Sequence, residues 1–146
     1  MKIAAGKAVE FEMWRLAILL AFALGGCAGV EGPSAETVRA ARTFPTNYKT
    51  ELLAHLRNFL NDPSNVRSAF ISQPALGRIE GEERYLSCVR FDARSTTGSY
   101  RGSRDHLAVF FGGKLEYFIE LRPETREGRC RSAAYEPFPE LERLTR

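Results

Sequence analysis

His106-Leu-Ala-Val-Phe-Phe111, then Gly112-Gly113, then Lys114-Leu-Glu-Tyr-Phe-Ile-Glu-Leu121 decides the fold: two apolar runs joined by paired glycines read as a β-hairpin. The tight turns of hairpins need φ > 0, which glycine adopts at no steric cost. In the second arm Leu115, Tyr117 and Ile119 alternate with Lys114, Glu116, Phe118 and Glu120, the period-two pattern of a strand. Upstream, Arg84–Ala93 reads as the longest strand. Tyr85, Val89 and Phe91 face one way and Leu86 and Cys88 the other, so both faces need cover and the strand belongs at the centre of a sheet. Between it and the hairpin, Asp92–Asp105 is polar, carries Gly98 and Gly102, and reads as a wide loop.

Further out, Val66–Gln73 reads as a first strand closed by Pro74, and Ala75–Glu83 as a turn, acidic at its end. Tyr48, Leu52, Leu53, Leu56, Phe59 and Leu60 form one apolar stripe of helical period, with Thr46 as its expected N-cap and Asn61-Asp62-Pro63 as its stop. Pro123–Arg146 reads as an irregular tail carrying Cys130, with one helical turn at Glu140–Leu144. No second long helix is available to cross between parallel strands, so the sheet must be antiparallel. The expected fold class is α+β: one N-terminal amphipathic helix packed on a small antiparallel sheet of about four strands, with the irregular tail beside it.

The N-terminus reads as an address. Leu16–Leu24 is an unbroken apolar run of nine residues, preceded by Arg15 and followed by small residues. That order is the order of a secretory signal, and the run is too short to span a bilayer. A buried core helix is the alternative, and the paired glycines that end the run argue against it. Glu10 and Glu12 place negative charge where a signal carries positive charge, so Met13-Trp14-Arg15 reads as the better start. The run closes on Leu24-Gly25-Gly26-Cys27, which resembles the lipobox of bacterial lipoproteins. The resemblance implies cleavage before Cys27, acylation of its thiol, and a membrane anchor stronger than a single chain gives. Ala28, where an Asp would argue for retention in the inner membrane, favours the outer one. The chain thus divides into residues 1–27 as signal and anchor, 28–43 as a flexible tether, and 44–146 as one small domain.

Removing residues 1–27 leaves 18 basic against 16 acidic side chains. So small an excess gives no support for a nucleic-acid partner, which would want a basic stripe. Export also changes the meaning of the cysteines. With Cys27 acylated, Cys88 and Cys130 remain, and an oxidising envelope favours their pairing over two buried thiols. Closing a loop of roughly 40 residues stabilises by up to about 4 kcal/mol on the chain-entropy account.

Chemistry is harder to find. His55, His106, Cys88 and Cys130 lack the close spacing of a zinc site, and Ser87 and Cys88 lack a nucleophile elbow. Gly113-Lys114 fails the phosphate-loop pattern, because Ala108 and Leu115 stand where it needs glycine and a hydroxyl. Glu80, Glu82 and Glu83 lack the alternating ligands of a calcium loop and read as a solvated turn. No catalytic residue, metal or cofactor is therefore expected. Recognition is expected at the Arg94–Arg104 loop, where Arg94, Arg101 and Arg104 surround Tyr100 and could engage a carboxylate, a phosphate or a sugar face. The bland alternative is a soluble connection with incidental arginines.

Phe59–Ala69, Cys88-Val-Arg-Phe-Asp-Ala-Arg94 and Gly98-Ser-Tyr-Arg-Gly102 together resemble a pattern of small uncharacterised lipoproteins of alphaproteobacteria, with Asp92 where that pattern has Asn. The likeness implies the address and the fold and carries over no catalytic residue. The expected function is a lipid-anchored envelope module facing the periplasm, non-catalytic, binding the membrane through its lipid and another envelope component through its domain. The rival is a small enzyme or ligand-binding lipoprotein acting on cell-wall fragments. A pocket uniting His55 or His106 with Asp92 or Asp105 would favour the rival.

Overall fold

The computed structural model describes residues 32–122 and 129–145. In chain order it holds α1 (Ala35–Ala41), α2 (Tyr48–Phe59), a 3-10 turn (Pro63–Asn65), β1 (Arg67–Ser72), β2 (Ala75–Ile79), β3 (Glu82–Asp92), β4 (Arg104–Phe111), β5 (Lys114–Glu120), β6 (Tyr135–Pro137) and α3 (Pro139–Glu142). The strands form one antiparallel sheet of order β5-β4-β3-β1-β6, with β2 paired to β3 beside β1. One helix on about four strands is therefore corrected to a six-stranded sheet carrying three short helices. Two strands and a helix had been hidden. β2 lies in the stretch expected to be a turn, β6 in the expected irregular tail, and α1 in the expected tether. The expected signal, with Leu24, Gly25, Gly26 and Cys27, lies outside the described residues.

The eleven residues of β3 are long enough to pair with β2 through their first half and with β1 through their second. Between β1 and β2 the register slips by one residue, from Ile71↔Val89 to Ala75↔Leu86. Pro74 falls in that gap, and two buried serines hold the joint. Ser87 Oγ donates to the Ser72 carbonyl at 2.7 Å, and the Cys88 amide donates to Ser72 Oγ at 2.9 Å. Backbone groups freed by the break thus find side-chain partners, as buried polar groups must.

α2 covers one face of the sheet. Leu52 and Leu56 are fully buried against Val89, Phe91, Ala108 and Phe110, each worth about 2–3 kcal/mol of apolar transfer. The stripe runs past the sheet at its end, leaving Phe59 49% exposed. Asn47, not Thr46, is the N-cap, and it makes no side-chain cap bond. Phe138 and Leu141 from the tail complete this core. The opposite face buries Cys88, Leu107, Val109, Leu121 and Cys130. β3 is covered on both sides, as its pattern requires.

Gly112 and Gly113 take φ of 59° and 78° at the β4–β5 turn. The simple alternation along β5 does not survive, however. Phe110 faces Leu115 but Val109 faces Tyr117, so Glu116 is an extra residue, a bulge. Leu115 and Phe118 join the α2 side, while Tyr117 packs on the other. α1 is anchored to the same hairpin, where the Gly112 amide donates to the Ala40 carbonyl at 3.0 Å, and to β3, where Arg42 pairs with Glu83 at 3.0 Å. Ser34 caps it by accepting from the Thr37 amide at 3.2 Å. These elements belong to one compact unit that includes the chain from Pro33.

Candidate functional site

The Arg94–Arg104 loop is a folded object. Arg94 and Tyr100 form an isolated bridge, the Ser95 amide donates to the Ser99 carbonyl at 2.9 Å, and the hydroxyls of Ser95, Thr97 and Ser99 interlink within 3.2 Å. Tyr100 looks inward. Its hydroxyl donates to the Asn65 carbonyl at 2.9 Å, and the Arg67 guanidinium lies 3.2 Å from its ring centroid. Arg94 sits 5.4 Å from the same ring and 3.8 Å from Asp62. Hydrogen bonds from Ser64 and Asn65, with Arg94 nearby, hold the Asp62 carboxyl below the usual carboxylate range. Tyr100 and Arg94 therefore fasten the loop to the 3-10 turn and the start of β1, with the Arg94 side chain still 41% exposed.

Arg101 and Arg104 remain. Both line a cleft of about 200 Å³ whose apolar walls are Phe59, Leu60 and Phe91, with His106 and Glu120 beside them. Arg104 stands 3.6 Å from Glu120. His106 is stacked between Phe91 (centroids 4.4 Å apart, planes 5° apart) and Phe118 (5.0 Å, 7°). Its Nδ1 lies 3.2 Å from the Arg104 carbonyl, and burial pulls its pKa down. His106 is thus a neutral member of the aromatic stack, and the cleft's positive charge is arginine. Such a cleft suits a small carboxylate or phosphate attached to an apolar group.

Of three clefts among the described residues, none joins His55 or His106 to Asp92 or Asp105. The His106 cleft is lined by neither Asp92 nor Asp105. Asp105 and His106 are neighbours on β4, so their side chains leave opposite faces of the sheet. Asp105, 2% exposed, instead accepts from Arg90 Nε at 2.6 Å and from the Tyr135 hydroxyl at 3.0 Å. Arg90 also stacks over the Tyr135 ring at 4.4 Å, and its bond to Asp105 raises its pKa. This Asp105–Arg90–Tyr135 cluster ties β3, β4 and β6 together, and no spacing in the sequence announces it. His55 stacks on Phe59 and packs at a tilt against Phe118, leaving Nε2 buried without a hydrogen-bond partner. Among the described residues no three of His, Cys, Asp and Glu gather as a metal-binding group.

Cys88 and Cys130 form a disulfide, with an S–S distance of 1.95 Å and Cα atoms 5.7 Å apart. It fixes the segment before β6 onto the sheet face away from α2. Beside it, β2 and residues 132–136 border a larger cleft of about 730 Å³. No described helix is long and apolar enough to cross a membrane. The chain matches no protein-family model, no curated protein and no solved structure.

Proposed function

We propose that the chain is an exported lipoprotein, held to the cell envelope by acyl groups on Cys27, whose folded unit is a non-catalytic binding module. The observation that carries this reading is the buried Cys88–Cys130 disulfide, since such links persist in oxidising compartments outside the cytoplasm. The signal-like Leu16–Cys27 stretch and the likeness to small alphaproteobacterial lipoproteins support the same address, with the periplasmic side of the outer membrane favoured by Ala28. The partner is another envelope component. The arginine cleft under Phe59 would accept a carboxylate on it, and the occupied ring of His106 speaks against the rival reading of a hydrolase acting on cell-wall fragments.

Growth with radiolabelled palmitate tests the anchor. The wild-type chain should take up label and sediment with membranes, whereas Cys27→Ser should take up none and move to the soluble fraction. An unlabelled wild-type chain whose fractionation is unchanged by Cys27→Ser would remove the lipoprotein reading.

A further inference from the structure

Among the described residues β2 has a strand on one side only. Its other edge borders the 730 Å³ cleft, which runs along Ala75–Arg78 and is bounded by Ser132–Glu136, with Leu86 and Leu107 among its apolar lining. The β2–β3 turn closes on the pair Ile79↔Glu82, followed by Arg78↔Glu83 and Gly77↔Arg84. In an antiparallel ladder alternate residues spend both backbone groups on their partner. A two-residue turn makes Ile79 such a residue, so Gly77 and Ala75 follow it, and Leu76 and Arg78 turn their amides and carbonyls toward the cleft. Arg129 bears this out, because its Nη1 donates to the Arg78 carbonyl at 2.8 Å. Gly77 leaves that stretch bare, and a Cβ added there would push the end of the Leu86 side chain, 2.7 Å away, into the cleft wall. Leu76, 46% exposed, offers apolar surface on the same edge.

Charge identifies the occupant. Arg78 and Arg129 line the cleft, and the carboxylate that lines it, Glu136, is held by Lys49 at 2.9 Å. The Arg78 carbonyl is taken by Arg129, but the Leu76 amide and carbonyl and the Arg78 amide still face outward; with an exposed leucine and two guanidiniums they match an extended chain carrying acidic side chains. We infer that the free edge of β2 takes an extended acidic peptide segment of a partner as an additional strand, its carboxylates meeting Arg78 and Arg129. Two copies of this chain paired through β2 would instead bring like charges together. The inference names a surface and a chemistry for the binding module, but it rests on the sheet and not on the anchor. Palmitate labelling and peptide binding can therefore fail separately.

The probe is a fluorescein-labelled heptapeptide in which single valines separate pairs of adjacent glutamates, so that carboxylates reach both faces of the added strand; it is titrated with the full chain in detergent and read by anisotropy. Saturable binding is expected, with no binding of the valine–lysine counterpart. Leu76→Pro removes one outward amide while sparing the β3 ladder, and should weaken binding by about tenfold, the worth of one good hydrogen bond. Arg78→Glu combined with Arg129→Glu should abolish binding, and because both positions are exposed this variant stays informative if Leu76→Pro fails to fold. Backbone amide shifts on peptide addition should centre on Leu76 and Arg78. Absence of saturable binding, equal affinity for both peptides, or a chain already dimeric through β2 by light scattering would each overturn the inference.

Discussion

At the scale of single residues, His106 shows how context overrides type. A histidine beside an aspartate invites a catalytic reading, yet successive strand residues point to opposite faces and separate the two groups. Stacked between Phe91 and Phe118, the imidazole loses hydration, and its folded pKa falls below the ordinary 6.5. The unfolded chain then binds the proton more readily. This group's contribution to stability is complete above about pH 6.5 and shrinks as pH falls below it. His106→Phe keeps the stack and removes the titration. Urea titrations at about pH 7.5 and about pH 5 should show the variant losing less stability on acidification than wild type; equal losses would mean the ring does not titrate on unfolding. Of the four residues expected to recognise a ligand, Arg101 and Arg104 line a cleft, while Tyr100 and Arg94 fasten the loop. Sequence placed all four in one loop, but which way a tyrosine points depends on Arg67 and Asn65, distant in the chain.

At the scale of elements, the strands that alternate strongly were legible and the ones that borrow their cover were not. β3 declared itself by its two apolar sets. β2 did not, because Ala75-Leu-Gly-Arg-Ile79 holds a glycine and an arginine, and its pairing depends on the turn at Glu80-Gly81. Those two residues adopt φ of 51° and 87°, the left-handed pair of a tight hairpin turn. Glutamate is strained there, whereas asparagine tolerates the conformation. Glu80→Asn should stabilise the domain by about 0.5–1 kcal/mol, seen as a higher urea midpoint with an unchanged denaturant slope. A lower midpoint would mean that Glu80 makes interactions worth more than its strain. α1 was missed for a different reason. Its Ala35-Glu-Thr-Val-Arg-Ala-Ala41 composition favours helix, but it lacks the large apolar stripe that marks a buried face.

At the scale of the whole molecule, the tail is held at many points, of which three are spread along its described length. These are the Cys88–Cys130 disulfide, the β1–β6 pairing, and the Glu142 carboxylate accepting from the Ala69 amide at 2.9 Å. That last bond sits where Ser68 adopts φ of 53° and β1 bulges away from β3. Phe138 and Leu141 can fill the core only if the tail returns to the sheet. Replacing both Cys88 and Cys130 with alanine frees a loop of 42 residues' separation. It should cost about 4 kcal/mol on the chain-entropy account, measured by urea unfolding. An unchanged midpoint would mean that β6 and α3 dock as well without the link.

Periodicity and turn chemistry encode the Gly112-Gly113 hairpin, the two-faced β3 and the apolar stripe of α2, and with only three cysteines in the chain the pairing of Cys88 with Cys130 was one of three choices. Each depends on neighbours within a turn or two, or on there being few ways to pair two thiols. Long-range packing sets the rest: six strands in the sheet among the described residues, Phe118 and not Tyr117 facing α2, and His106 parted from Asp105 across the sheet. Bulges, register slips and edge strands take their stability from residues far along the chain, and a local pattern carries no record of them.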